Sequence, residues 1–204
     1  MKGRYAIIGW GSLIWDLEIL TPHVELPWRM DAGPSLPMEF SRISAKRKMG
    51  LAVCLDLVSG TPCPTHVVPS TRDTLVDAVT DLAARERAPF ERIGGVCVHT
   101  DASQGRPQFR NLIREWCLQN NWQGAVWTDL GSNFRELRSL TFSVTTAITY
   151  LQGLKGEGLD EAIRYIVSAP EATDTPLRRA LAQNDWWRDQ VQQRGYALPE
   201  IAIT

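Results

Sequence analysis

The sequence predicts an α+β fold, and two observations carry the prediction. Short apolar, β-branched runs cluster before residue 130, whereas helical apolar periods dominate after residue 142. No regular strand–helix–strand alternation links them, which argues against a doubly wound parallel sheet. Of the 204 residues, 44% are apolar and 22% charged, an ordinary globular balance that excludes a disordered chain. This length suits one large domain or two small ones. The expected division is a strand-rich domain over residues 1–140 and a helical extension over 141–204, packed on it as a single structural unit.

Arg4 to Gly9 is apolar and β-branched and runs into glycines, so it reads as a buried strand ending in a tight turn. Residues 22–37 hold four prolines and Gly33 and read as loop. Pro37 to Ser44 alternates Met38, Phe40 and Ile43 with polar residues, a strand with an irregularity near Arg42. Gly50 to Val58 is its antiparallel neighbour, joined by a solvated basic turn at Lys46, Arg47 and Lys48. Thr65 to Pro69 reads as a short strand. Thr71 to Arg87 is a helix with Leu75, Val79 and Leu82 on one stripe and Ser70 or Thr71 as its cap. Strands follow at Gly95–His99 and Gly124–Thr128. Between them, Gly105–Asn121 forms a helix with Phe109, Leu112, Ile113, Trp116 and Cys117 on one face. Beyond them, Ser143 caps a helix that glycines end near residue 153. A second helix covers Leu159–Val167 and a third Asp174–Arg194, with Pro176 near its start.

Charge and motif content exclude several functions. With 22 basic and 23 acidic residues the net charge is −1, which disfavours a broad phosphate-binding face and a nucleic-acid partner. No apolar run approaches the ~20 residues of a membrane span, and the N-terminal run is too short for a secretory signal, so the expected location is cytoplasmic. Cys54, Cys63, Cys97 and Cys117 show no CxxC spacing and read as buried free thiols. His23, His66 and His99 are far apart, with no metal-ligand spacing, so no metal is expected. A P-loop, a nucleophile elbow and a complete dinucleotide fingerprint are all missing, so no cofactor is expected either.

Three features remain. In Gly9-Trp10-Gly11-Ser12-Leu13 a buried strand runs into two glycines around one residue. Glycine permits positive φ and close approach of a ligand, and successive exposed amides form an anion-binding nest. The same pattern also serves a plain strand-to-helix turn. Glu86 continues the stripe of Leu75, Val79 and Leu82, which places an acid toward the core, where carboxyls work as general acids and bases. It also ends its helix, where it is free to reach water or to pair with Arg85 or Arg87. Arg42 and Ser44, inside a strand, are placed to reach a pocket.

Together these features resemble the γ-glutamylcyclotransferase-like family. The N-terminal motif is Ile7-Ile8-Gly9-Trp10-Gly11-Ser12-Leu13-Ile14-Trp15-Asp16, and the second segment is Leu82-Ala83-Ala84-Arg85-Glu86-Arg87-Ala88-Pro89-Phe90-Glu91-Arg92-Ile93. The resemblance covers roughly residues 4–130. Pro37-Met38-Glu39-Phe40-Ser41-Arg42-Ile43-Ser44 is similar to a strand of one bacterial branch. The resemblance implies a small mixed β-barrel with flanking helices. It implies a turn, here Gly9, Trp10, Gly11, Ser12 and Leu13, whose amides hold a carboxylate, and Glu86 as the proton-transfer group. The implied partner is a small molecule with a γ-glutamyl or similar carboxylate group, and the implied product is 5-oxoproline. Two positions depart from the family pattern: Trp10 stands for a tyrosine, and Arg87 for the glycine that often follows the glutamate. A non-catalytic module that binds a small molecule in the same pocket is the alternative. Trp186-Trp187 forms a candidate interaction anchor, or else packs back on the core.

Overall fold

The structure, a computed structural model, describes residues 4–197. It is α+β, with two sheets and helices. Contacts divide the chain into two compact units, neither of them continuous. One joins the chain up to Leu36 with Pro64–Leu130, and the other joins Pro37–Cys63 with the chain from Gly131 onward.

The first unit is built on β1 (Tyr5–Gly9), which is buried along its whole length. It lies at the inside of a five-stranded mixed sheet of order β5-β1-β8-β6-β7, with β5 at His66–Pro69, β6 at Ile93–Cys97, β7 at Ser103–Gln104 and β8 at Gly124–Thr128. β1 runs antiparallel to β5 and parallel to β8. Directly opposed residues share a face of a sheet. Ile7 therefore aligns with Val68 and Val126, and these three join Leu13, Leu20, Val79 and Leu82 in one buried cluster. Val79 and Leu82 come from α1 (Leu75–Glu86), so this helix covers the face that carries Ile7. Its cap is Thr74, whose hydroxyl accepts from the Asp77 amide at 3.1 Å, in place of the expected Ser70 or Thr71. α2 (Pro107–Gln119) buries Phe109, Ile113 and Cys117 but leaves Leu112 exposed, which narrows the expected face.

The second unit holds a three-stranded sheet of order β3-β2-β4, with β2 at Leu36–Ser44, β3 at Gly50–Leu55 and β4 at Thr61–Cys63. β2 and β3 are antiparallel, and their register shifts between Glu39 and Arg42, the irregularity expected there. The basic turn differs from its expectation. Lys48 is exposed, but Arg47 is buried, bonded to Glu161 at 3.0 Å and lying over the Tyr165 ring. Both partners sit on α5 (Glu157–Ser168). α3 (Phe134–Arg138) was not expected, while α4 (Val144–Gly153) carries the expected cap at Ser143. The single helix expected over 174–194 is two, α6 (Pro176–Ala182) and α7 (Asp185–Gln193). The Asn184 side chain accepts from the Trp187 amide at 3.0 Å and so opens the second of them. Trp187 is buried on α7, in the manner of a packed residue.

Both sheets are open among the described residues, so two sheets stand where the resemblance implies a barrel. All four cysteines are buried and free, as expected. Among the described residues no helix is long and apolar enough to cross a membrane.

Candidate functional site

β1 delivers Gly9 to the start of the glycine turn. Trp10 is extended and 7% exposed. Gly11 then takes φ +54, a left-handed value at which a side chain is strained. Gly11–Leu13 is one turn of 3-10 helix, closed by the Ile14 amide on the Gly11 carbonyl at 3.2 Å. The Asp16 amide donates to the Ser12 carbonyl at 2.9 Å. The Gly11 and Ser12 amides open the turn, where helical geometry gives them no carbonyl partner. At Gly9 the close approach is made by the chain itself: a Cβ there would lie 2.5 Å from the Trp28 ring.

Glu86 is the last residue of α1, and its side chain is 17% exposed. The side chain beside it is the buried one. Arg85 is 2% exposed, and its guanidinium joins three groups. Nη1 donates to Glu86 Oε1 at 2.6 Å. Nη2 donates to the Asp16 carbonyl at 2.5 Å and to Ser12 Oγ at 3.4 Å. Nε is buried and meets no acceptor among the described residues. A buried cation is stable only where acceptors surround it, and here Glu86, Ser12 of the glycine turn and Asp16 just beyond it supply them. Arg85 therefore ties Glu86 to the turn. Of the two pairings open to Glu86, the structure makes the one with Arg85, since Arg87 instead reaches Glu18 at 3.3 Å.

The site residues expected from the sequence thus fall into two groups. Gly9, Trp10, Gly11, Ser12, Leu13 and Glu86 belong to the first unit, with Ser12 and Glu86 linked through Arg85. Arg42 and Ser44 belong to the second unit. There Arg42 Nη1 donates to the Gly131 carbonyl at 2.7 Å, and the Ser44 carbonyl accepts from the Met49 amide at 2.9 Å.

Sequence reasoning missed Arg85 and His66. At about 100° per residue Arg85 lies roughly 90° from the centre of the apolar stripe, so periodicity does not place it inside. Its burial comes from residues 12–16, a tertiary contact. His66 is the polar residue of an otherwise apolar strand and is 1% exposed. It stands directly opposite Gly9 in the β1–β5 pairing. Its Nδ1 accepts from the Asp31 amide at 2.9 Å, with the Asp31 carboxylate 3.5 Å away. Burial pushes the His66 pKa down, against the opposing pull of Asp31. Among the described residues no group of three or more His, Cys, Asp or Glu is placed to hold a metal ion.

In comparison with known proteins, no family model, no curated protein and no solved structure matches the chain.

Proposed function

We propose that the chain is a γ-glutamylcyclotransferase-like enzyme that cyclises a small γ-glutamyl compound and releases 5-oxoproline. One observation carries this reading: the buried Arg85 guanidinium holds the Glu86 carboxylate and Ser12 of the glycine turn on one ion-paired link.

The chemistry asks for few parts. The α-amine of the substrate, once neutral, attacks its own γ-carbonyl carbon. A C–N bond forms, the bond to the leaving nitrogen breaks, and one proton passes from the first nitrogen to the second. Glu86 takes that proton and returns it, as a positioned general base and then acid. Arg85 engages Oε1, so Oε2 is the oxygen left for the transfer. The Gly11 and Ser12 amides, with Arg85 nearby, favour a carboxylate of the substrate. The attack is intramolecular, so holding the chain folded supplies much of the rate.

The test is 5-oxoproline release from γ-glutamyl dipeptides, γ-glutamyl amines and glutathione. Glu86→Gln keeps an acceptor for Arg85 and is expected to lower kcat about a hundredfold or more. Turnover at the wild-type rate in a folded Glu86→Gln protein removes Glu86 from the mechanism.

The Arg85–Glu86 ion pair also favours a second reading, since it occupies one carboxylate oxygen. A binding module would use the same turn without turnover. It predicts that a small carboxylate raises Tm, by linkage, with no product formed.

A further inference from the structure

We propose that His66 is a binding residue of this site, and that its Nε2–H donates to a carbonyl or carboxylate oxygen of the bound small molecule. The inference deepens the proposed function and rests on it for the identity of the site.

Placement comes first. His66 and Gly9 are directly opposed on antiparallel strands, so their side-chain directions lie on one face, with Cβ positions about 5 Å apart. Gly9 is two residues beyond Ile7, so the face is the one that α1 covers. The glycine turn follows Gly9 directly, and α1 ends in Arg85 and Glu86. His66 therefore shares a face with the helix that carries the acid and neighbours the turn that meets Arg85.

Protonation comes next. A backbone N–H can only donate, so the Asp31 amide fixes His66 Nδ1 as an acceptor. In the neutral ring the proton is then on Nε2. Burial lowers the pKa, which keeps the ring neutral near pH 7 and Nε2 a donor.

The last observation is that this donor is unused. Nε2 is buried and meets no acceptor among the described residues. Leaving a buried N–H unpaired costs free energy, so such groups are few and call for an explanation. Trp28, whose benzo edge packs on Gly9, likewise has a buried Nε1–H that meets no acceptor among the described residues. Indole nitrogen only donates. A buried imidazole N–H without an acceptor, on the strand face beside the glycine turn, matches a ligand that brings an acceptor oxygen, as a carboxylate or an amide carbonyl does. In a cyclisation, a neutral imidazole donor also suits the oxygen on which negative charge develops, since it donates without giving up its proton.

The experiment is NMR of the imidazole groups in the 15N-labelled full chain. Only three histidines contribute, and His66 is assigned by the loss of its signals in His66→Gln. The probes are 5-oxoproline and acetate; acetate assumes nothing about the reaction. The expected result is a protonated Nε2 whose N–H signal moves on addition of probe. Affinity for the probe is expected to fall about tenfold in His66→Phe, the loss of one buried hydrogen bond, and to be largely kept in His66→Gln, whose amide N–H reaches the same place. A proton on Nδ1, an Nε2–H signal that neither probe moves, or wild-type affinity in His66→Phe overturns the proposal. Its failure is distinct from that of the reaction. Turnover with an unmoved Nε2–H removes His66 alone, whereas a moved Nε2–H without turnover removes the reaction and keeps the binding group.

Discussion

Arg87 closes α1 with φ 52, and its amide and that of Ala88 cap the last carbonyls of the helix. A non-glycine residue in the left-handed region costs about 1 kcal/mol. The Arg87 side chain recovers little of this, because its ion pair with Glu18 is at the surface, with Arg87 70% exposed. Arg87→Gly is therefore expected to raise stability by about 0.5–1 kcal/mol. Urea denaturation measures it, and an unchanged or lower midpoint at equal slope contradicts it. The same stretch shows what a sequence conceals at this scale. Glu86 was legible as an acid at the end of an apolar stripe. Arg85 was not, because its place depends on the carbonyl of Asp16 and the hydroxyl of Ser12 folding over it. His66 was hidden for a related reason: only strand pairing sets it against Gly9.

Among the elements, β2 carries the most unusual buried group. Glu39 is wholly buried; its Oε1 accepts from the Phe40 amide at 2.6 Å and its Oε2 from the Leu177 amide, in α6, at 3.0 Å. Burial pushes its pKa up, against hydrogen bonds from Thr175, Phe40 and Leu177. The folded state thus holds this proton more tightly than the unfolded chain does. The resulting stability is full below the unfolded pKa and is lost as pH rises through the folded one. Relative to Glu39→Gln, which does not titrate, the wild type is expected to lose stability over the pH range above the ordinary glutamate value, about 4. Chemical denaturation across that range checks it, and a difference independent of pH rules it out. The register shift in β2 was legible because Arg42 and Ile43 break the alternation. The break between α6 and α7 was not, since the apolar positions run on through Ala182. Asn184, a residue that favours caps, was the signal available there.

At the scale of the whole molecule, the chain passes between its two units three times. β1 lies inside the first sheet with β5 on one side and β8 on the other, and both partners come from Pro64–Leu130. A fragment of residues 64–130 is expected not to fold, because β5 and β8 would lose the strand that joins them. Circular dichroism and denaturation of that fragment test this, and a cooperative transition in it contradicts it. The α+β class was legible from where apolar runs and helical periods fall. The interleaving was not, because nothing local says that the hairpin of β2 and β3 groups with the helices after residue 131. One cost of this order appears only during synthesis. Tyr5 pairs with Gly124, so at bacterial or eukaryotic speeds the ribosome takes on the order of ten seconds to supply the parallel partner of a strand made almost at once, well after β5 has supplied the antiparallel one. Through that interval Tyr5–Ile8 keeps one edge of its backbone open to other strands.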